Sequence, residues 1–215
     1  MQQAQILVLA KEPRPGAVKT RLCPPLTPEE AAQVASAALH DTLDAVRAVG
    51  LPVVLVLDGS PGSIDTTGLT VQGQVPGGLD VRLAAAFRGA FEQRPLPMLL
   101  VGMDTPQVTR DLLADAVDRL LSPRTDAVLG LAEDGGWWAL GLRRPDDALL
   151  LGVPMSSDTT GRIQTERLDA AGLRRDDLPV LRDIDQLDDL LAAAAAAPGS
   201  RTARLVTTLL TGSTP

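Results

Sequence analysis

Both lysines of the chain, Lys11 and Lys19, lie in one short loop that also contains Arg14 and Arg21, and every other basic residue is an arginine. A lysine ammonium is a compact charge on a flexible stem, which suits it to contact a phosphate oxygen, whereas arginine presents a planar fork. Gly16 allows the backbone of this loop to pass close to a ligand. The loop is therefore predicted to bind phosphate, and the alternative is a solvated basic loop.

Acidic residues at the ends of extended segments form a second candidate group. Asp104 follows an apolar strand pattern at 97–102. A carboxylate there can hold Mg²⁺, which typically takes one or two carboxylates and completes its shell with phosphate oxygens and water. Asp183 and Asp185 share one side of an extended segment, so both could reach a single site. The alternative is that Asp104 only closes a turn.

The third group contains two adjacent tryptophans. Trp137 and Trp138 follow Glu133, Asp134 and two glycines. In an extended segment the two rings point to opposite faces, so at most one of them can line a given pocket. A tryptophan face is a good platform for a sugar or another ring, and a nearby carboxylate can act as a base. The alternative is that both rings fill the core.

The elements that must position these residues alternate between strands and helices. Apolar runs predict strands at 5–10, 52–57, near 71, 97–102, 126–131 and 137–142. Helical periodicity and caps predict helices at 28–49, 79–93, after Thr109, and at 158–170, 187–197 and 201–210. Continuous apolar strands favour a largely parallel sheet covered on both faces by helices. Such a sheet presents its ligand loops at the carboxyl ends of its strands.

Length and charge restrict the class of protein. The 215 residues suit one α/β domain over 1–215, and the net charge of −7 argues against a nucleic-acid scaffold. A local positive loop in a negative protein still suits a small anionic substrate such as a nucleotide. Cys23 is the one cysteine and cannot form an internal disulfide, and no leader pattern or membrane-length apolar stretch is found. A cytoplasmic location is therefore expected.

Taken together, these motifs resemble the GT-A-type nucleotide-diphospho-sugar transferase superfamily. The shared patterns are Lys-x-Pro-x-Pro-Gly-x-x-Lys-Thr-Arg-Leu, Gly-x-Asp-x-Pro, Asp-Gly-Gly before an aromatic residue, and Asp-Ile-Asp before an acidic helix start, spread from Ile6 to about Leu191. The nearest branch is the small bacterial glycosyltransferase A-like proteins of the arsenosugar-biosynthesis or radical-SAM-associated type. The 2-phospholactate and molybdenum-cofactor guanylyltransferases are more distant relatives. This resemblance implies a three-layer α/β/α sandwich with a mainly parallel mixed sheet.

The resemblance also implies roles for particular residues. Nucleotide-binding residues are implied at Lys11, Gly16, Lys19, Arg21, Asp80, Arg82 and Trp137, with Asp80 and Arg82 near the base or ribose. Ligands for Mg²⁺ or Mn²⁺ are implied at Asp104, Asp185 and Asp183. Asp134 and Trp137 match an acceptor-side motif. The chain departs from the branch at Met155, where a tryptophan is common, and at Gln186, which replaces a threonine.

The reaction expected first is metal-dependent glycosyl transfer from a nucleoside-diphosphate sugar to a small acceptor. Lys19 and Arg21 would neutralise the departing phosphate, with Lys19 ranked above Lys11 for this contact, and Asp134 is the candidate base. Gly16 is the only glycine before Val49, whereas nucleotidyltransferases of this superfamily usually open with a glycine-rich loop, although the phospholactate branch also lacks those glycines. The first alternative is therefore a guanylyl- or cytidylyltransferase-like enzyme that joins a nucleoside monophosphate to a phosphorylated small molecule and releases pyrophosphate. The second alternative is a nucleotide-binding protein without catalysis.

Overall fold

Seven strands form one mixed sheet in the computed structural model, which describes residues 4–212. The strands are β1 (Gln5–Lys11), β2 (Val53–Asp58), β3 (Thr70–Gly73), β4 (Met98–Gly102), β5 (Ala127–Ala132), β6 (Trp137–Leu142) and β7 (Arg175–Leu181). Their order across the sheet is β3-β2-β1-β4-β6-β5-β7. Only β6 runs antiparallel to its neighbours, and the remaining pairs are parallel. The expected mainly parallel mixed sheet is confirmed.

Helices cover both faces of this sheet. They are α1 (Pro28–Val49), α2 (Leu79–Gln93), α3 (Arg110–Leu121), α4 (Thr160–Ala170), α5 (Leu187–Ala196) and α6 (Arg201–Gly212). Leu39 of α1 and Leu113 of α3 belong to the core on one face, and Phe87 of α2 and Leu168 of α4 belong to the core on the other. α5 and α6 pack against α1 in a third apolar cluster. The expected three-layer sandwich is therefore confirmed. None of the helices within 4–212 combines the length and apolarity needed to cross a membrane.

Local sequence explains the bounds of α1. The Thr27 side chain accepts a hydrogen bond from the Glu30 backbone N–H, and the Glu30 carboxylate accepts one from the Thr27 backbone N–H, which together form a capping box. Pro28 occupies the first turn, where its missing N–H costs nothing. Gly50 ends the helix in a left-handed conformation, with φ 78°. These signals predicted the helix at 28–49, where the structure places it.

Strand β7 is the one strand that the sequence patterns did not predict. It lies at an edge of the sheet beside β5, and Leu178 is its only buried residue. An edge strand exposes much of its surface to water, so it carries no continuous apolar run. The strand matters because it delivers the segment that contains Asp183 and Asp185 to the sheet edge.

Strand register brings the predicted motifs to one edge of the sheet. Leu9 of β1 pairs with Gly102 of β4, so these two parallel strands end together. β6 runs in the opposite direction, and its first residue, Trp137, pairs with Leu131 near the end of β5. β7 runs parallel to β5 and ends beside it. The ends of β1, β4, β5 and β7 therefore meet the start of β6 at the same edge.

Candidate active site

A cavity of about 600 Å³ opens at this edge, between the strand ends and the N-terminal parts of α2 and α4. All three groups of candidate residues contribute to its lining: Lys11, Lys19 and Arg21 from the basic loop, Asp104, Asp183 and Asp185 from the acidic group, and Asp134 and Trp137 from the turn before β6. Ligand pockets in proteins commonly have volumes of roughly 300–1,000 Å³. The cavity is thus large enough for a nucleotide together with a small second substrate.

Lys19 connects the basic loop to the acidic segments. Its side chain is only 10% exposed, and its Nζ lies 2.9 Å from Asp104 Oδ1. The same ammonium donates a hydrogen bond to the backbone oxygen of Ile184. Lys19 also has a left-handed backbone, with φ 50°, immediately before the short 3-10 helix Thr20–Leu22. A charged side chain with two charged or polar partners therefore fixes the loop against the end of β4 and the segment after β7.

Lys11 is placed differently. Its side chain is exposed at the end of β1 and forms no ion pair with any residue in 4–212, while its backbone N–H donates to Met103 Sδ at 3.2 Å. Its ammonium is therefore available to a ligand, whereas the Lys19 ammonium already contacts Asp104. Adjacency in the sequence ranked Lys19 first for phosphate contact, but burial and pairing favour Lys11.

Arg21 and Gly16 complete the description of the basic loop. Arg21 lies at the cavity mouth with its Nη1 2.5 Å from Asp185 Oδ2, and the two side chains are 70% and 37% exposed. An exposed ion pair of this kind is weak and can exchange partners when a phosphate binds. Gly16 has φ 72° and no neighbouring atom within 4 Å of the position a Cβ would take, and it lines neither cavity. Its role in this structure is to permit the turn of the loop.

The carboxylates around the cavity carry surplus negative charge. Burial, followed by the repulsion of the Asp134 carboxylate, raises the pKa of Asp183 to about 6, and Asp104 adds to this rise while Lys19 opposes it. The Ile184 backbone N–H donates to the Asp104 backbone oxygen at 2.9 Å, which joins the two acidic segments. These carboxylates are therefore close enough to influence one another.

The acidic residues fit a divalent cation by their chemistry. Carboxylate oxygens are the donors that Mg²⁺ and Mn²⁺ prefer, and a cation would relieve the charge that raises the Asp183 pKa. Within residues 4–212, no three acidic, histidine or cysteine side chains are already arranged as a metal-binding cluster. Asp104 and Asp185 instead bind Lys19 and Arg21. A metal would consequently have to exchange with these two cations.

The two residues implied near the base or ribose have different surroundings. Asp80 does not line the cavity, and its Oδ2 accepts a hydrogen bond from the Gly152 backbone N–H at 2.9 Å, which lowers the Asp80 pKa. Arg82 does line the cavity, where its Nη1 donates to Gln74 Oε1 at 3.1 Å. Its Nε is buried and has no partner. The structure thus places Arg82, and not Asp80, where a ligand could contact it.

The turn before β6 is shaped by close packing. The Gly136 backbone N–H donates to Asp134 Oδ1 at 2.7 Å. Gly135 has φ +89°, and a Cβ there would lie 2.0 Å from the Asp158 backbone oxygen. The Gly161 backbone N–H donates to the Gly135 oxygen at 2.7 Å. Gly135 is therefore required for the contact between this turn and the start of α4, and this contact sets the position of Asp134.

The two tryptophans face opposite sides of the sheet, as expected for an extended segment. Trp138 is 3% exposed, packs in the core beside α1 and α3, and donates from Nε1 to the Pro179 oxygen at 2.9 Å. Trp137 is partly buried on the side of α2 and α4, where it lines the cavity. Its Nε1 is buried and has no partner. Both tryptophans nevertheless contribute to the cavity lining, contrary to the expectation that at most one would, and the more exposed Trp137 is the ring more accessible to a ligand.

Two further residues of the cavity were not among the candidate site residues that the sequence motifs indicated. Thr105 is 1% exposed and lines the cavity, and its hydroxyl has no hydrogen-bond partner. Gln74 follows β3 and donates from Nε2 to the backbone oxygens of Ala10 (2.8 Å) and Val56 (3.1 Å). Thr105 could have been considered because it lies between Asp104 and a proline. Gln74 is brought to the site only by the pairing of β2 with β3.

Comparisons with known proteins agree with the fold and identify a family. Residues 42–157, more than half of the chain, match the family model described as "Uncharacterized protein conserved in bacteria (DUF2064)". The chain belongs to this family. A curated relative, the 2-phospho-L-lactate guanylyltransferase of Halomicrobium mukohataei, is 32% identical over 133 residues. That match covers 60% of this chain and 57% of the relative, so the chain spans little more than half of the relative's length.

Solved structures show the same architecture. A candidate nucleotide-diphospho-sugar transferase from Desulfovibrio desulfuricans G20 superimposes with a TM-score of 0.85 at 23% identity, covering 96% of this chain and 95% of its own. The manganese complex of Rv0371c from Mycobacterium tuberculosis H37Rv gives a TM-score of 0.54 at 22% identity, covering 89% and 97%. The fold is therefore that of the nucleotide-diphospho-sugar transferases, as the sequence motifs implied.

Proposed function

We propose that this protein is a metal-dependent nucleotidyltransferase, in which an acceptor oxygen attacks the α-phosphate of a nucleoside triphosphate and pyrophosphate leaves. This differs from the glycosyl transfer expected first from the sequence. The observation that favours it is a second cavity of about 260 Å³, which adjoins the main cavity on the side of the basic loop. Lys11, Lys19 and Arg21 line both cavities.

The second cavity suits the outer phosphates of a triphosphate. Its remaining lining combines small residues, including Ala17, Thr20 and Ala35, with the carboxylates of Asp104 and Asp185, and contains no aromatic ring on which a sugar could stack. If Asp104 and Asp185 hold a metal, Lys19 and Arg21 are released from them and can join Lys11 in neutralising the charge that builds on departing pyrophosphate, and such electrostatic stabilisation is usually a large part of catalysis. A nucleoside-diphosphate sugar would place an uncharged sugar beyond its second phosphate and would gain little from this charge.

The comparisons with known proteins also support nucleotidyl transfer over glycosyl transfer. The relative is named for guanylyl transfer to a phosphorylated hydroxy acid. That name describes the relative alone. In a separate comparison, residues 42–157 of this chain match the family model, and they include Asp104, Asp134 and Trp137.

Asp104, Asp183 and Asp185 are the residues that would hold Mg²⁺ or Mn²⁺, and a manganese complex is known for the structural neighbour Rv0371c. The metal would supply positive charge to the phosphate oxygens. For Asp104 to become a ligand, Lys19 must leave its carboxylate, and the freed ammonium then faces the phosphates.

Cytoplasmic localisation and a small-molecule acceptor remain predictions.

Glycosyl transfer is the second candidate, and the apolar side of the main cavity favours it. Trp137 presents a ring there, next to Leu79, Leu83 and Met155. Such a surface would support a donor sugar, but it would equally support a nucleobase or an acceptor. The released product separates the two reactions, because glycosyl transfer releases a nucleoside diphosphate and nucleotidyl transfer releases pyrophosphate.

Affinity for matched nucleotides tests the proposal without knowledge of the acceptor. ATP, GTP, CTP and UTP are titrated with Mg²⁺ by calorimetry beside their diphosphates and beside UDP-glucose and GDP-mannose. For the preferred base, we expect the triphosphate to bind at least about tenfold more tightly than the diphosphate, which corresponds to about 1.4 kcal/mol. A diphosphate or nucleotide sugar that binds as tightly as the triphosphate would refute the assignment.

The metal site has its own test. Asp104→Ala is expected to lose the Mg²⁺-dependent part of triphosphate binding, because it removes a carboxylate at the end of β4. Asp118→Ala is the matched control, since Asp118 is exposed on α3 and lies outside both cavities. If Asp104→Ala kept the wild-type dependence on Mg²⁺ for both binding and turnover, a role for Asp104 in metal binding would be ruled out.

A further inference from the structure

The charges around the main cavity are distributed unequally. The lysines and arginines of its lining are all on the side of the basic loop and α2, namely Lys11, Lys19, Arg21 and Arg82. The opposite side contains no basic residue among the described lining residues. We call this side the acceptor wall and define it by Asp134, Trp137, Met155, Ser157, Asp158 and Asp183.

The carboxylates of the acceptor wall form no ion pair with any described residue, although Asp183 lies within electrostatic reach of Lys19. Asp134, Asp158 and Asp183 form no ion pair within residues 4–212. Asp158 Oδ1 accepts a hydrogen bond from the Ser157 hydroxyl at 3.3 Å, and Asp134 Oδ1 accepts one from a backbone N–H. The nearby Arg182 already pairs with Glu133 at 2.8 Å, outside the lining of the cavity. Even with Asp183 bound to a metal, two unpaired carboxylates remain on this wall.

Two unpaired hydrogen-bonding groups also line the cavity. Within residues 4–212, neither the hydroxyl of Thr105, a residue that is 1% exposed, nor Nε1 of Trp137 has a hydrogen-bond partner. Buried polar groups in proteins are nearly always hydrogen-bonded, so such groups at a cavity surface indicate a ligand that supplies the missing bonds. A hydroxyl can supply them, because it both donates and accepts.

We infer that the acceptor is a hydroxyl compound without phosphate or carboxylate groups. This inference rests on the proposed nucleotidyl transfer and specifies its second substrate. An anionic acceptor would lie against Asp134 and Asp158, which have no basic side chain beside them on this wall, whereas an alcohol or an amino alcohol can donate hydrogen bonds to these carboxylates. The acceptor therefore differs from the phosphorylated small molecule that the nucleotidyltransferase alternative in the sequence analysis expected.

The carboxylates also fit the chemistry of a hydroxyl nucleophile. The acceptor oxygen forms a bond to the α-phosphorus, the bond from that phosphorus to the oxygen bridging the β-phosphate breaks, and pyrophosphate leaves with the electron pair. The hydroxyl proton passes to the Asp134 carboxylate, whose Oδ2 has no hydrogen bond within the described residues. A phosphate nucleophile is already ionised and would need no such base.

Binding of matched acceptor pairs tests the inference. The protein is saturated with Mg²⁺ and a non-hydrolysable α,β-methylene triphosphate of the preferred base. Ligand-observed NMR then compares glycerol with glycerol 3-phosphate and glycerate, glucosamine with glucosamine 6-phosphate, and ethanolamine with O-phosphoethanolamine. We expect at least tenfold tighter binding of the uncharged or amine-bearing members. Preferential binding of the anionic members, or binding in neither set, would overturn the inference.

A charge reversal provides a second readout. Asp158→Lys places a cation on the acceptor wall and should improve the affinity for the anionic members at least tenfold, whereas Asp118→Lys on α3 should leave it unchanged. An Asp158→Lys variant with wild-type selectivity would contradict the inference. The comparison of triphosphate with diphosphate affinity does not involve this wall. If that comparison succeeds and anionic acceptors still bind best, nucleotidyl transfer stands and only the acceptor assignment fails.

Discussion

Replacement of each lysine by methionine separates the two parts that they play in the basic loop. Methionine keeps a long unbranched side chain and removes the charge, so the comparison isolates the ammonium group. Lys19 is 10% exposed and contacts Asp104 and the Ile184 oxygen, whereas Lys11 is exposed and forms no ion pair with any residue of the described chain. Lys19→Met should therefore destabilise the fold, and Lys11→Met should not.

The expected loss of stability in Lys19→Met can be worked out from the contacts that the substitution removes. Removing the partner of a buried charged group costs about 1.5–3 kcal/mol. Water can replace part of the lost interaction at Asp104, whose side chain is 39% exposed, so the lower part of this range applies. Lys19→Met should lower the free energy of unfolding by about 2 kcal/mol. For a chain of this size that corresponds to a decrease of roughly 4–8 °C in the melting temperature. Lys11→Met should stay within about 0.5 kcal/mol of the wild type, as exposed substitutions usually do.

The affinity for triphosphate should respond differently. Lys11→Met removes the free cation and should weaken triphosphate binding about tenfold without a change in stability. Arg14→Met is the matched control in the same loop, because Arg14 is 62% exposed, pairs among the described residues only with Glu12, at 3.6 Å, and lines neither cavity. Arg14→Met should change neither the folding stability nor the affinity for triphosphate.

Urea and thermal denaturation measure the stabilities, and calorimetric titration with Mg²⁺ and the preferred triphosphate measures the affinities. A wild-type unfolding midpoint for Lys19→Met would contradict the assigned ion pair. An equally large loss of stability in Lys11→Met would contradict its assignment as the free cation. Either result would remove the structural reason for ranking Lys11 above Lys19 in phosphate contact.

Two further predictions concern stability. Hydrogen bonds from Arg174 lower the pKa of Asp126 from 3.8 to about 2, so this carboxylate stabilises the fold above about pH 4 and loses that contribution as the pH falls towards 2. The stability difference between wild type and Asp126→Asn should therefore shrink over this range in urea titrations, and a constant difference would exclude the linkage. Gly135→Ala should cost about 3 kcal/mol or more, because its Cβ would meet the Asp158 oxygen at 2.0 Å. Gly172→Ala, which has φ +70° and no atom within 4 Å, should cost only about 1–2 kcal/mol, and equal melting temperatures for the two variants would refute the packing argument.

Elements with strong local signals could be predicted closely. α1 has a capping box at Thr27, a proline in its first turn and a glycine at its end, and all three signals act within a few residues of the chain. Buried central strands such as β1 and β4 could also be predicted, because each is a continuous apolar run. β7 lacked such a run because it is an exposed edge strand, and only its pairing with β5 defines it.

The candidate site could be predicted in part. Asp104, Asp134 and Trp137 follow or precede recognisable strands, so topology alone brings them to one edge, and the structure places all three around one cavity. The surroundings of Asp80 could not be predicted, since its hydrogen bond to Gly152 joins segments that are distant in the sequence. Likewise, nothing local to Gln74 showed that its side chain would bridge β1 and β2.

The chemical groups of this protein and the elements that carry them can be read from its amino-acid sequence. Residue type, periodicity and capping are local properties, and they specified a basic loop, several strand-end carboxylates and an α/β sandwich. Which of these groups are free to contact a ligand depends on how the chain folds. Among the described residues Lys19 forms an ion pair and Lys11 does not, and the cations lie on one side of the cavity while carboxylates without an ion pair lie on the other. These properties depend on distances between segments far apart in the chain, which only the folded sheet fixes.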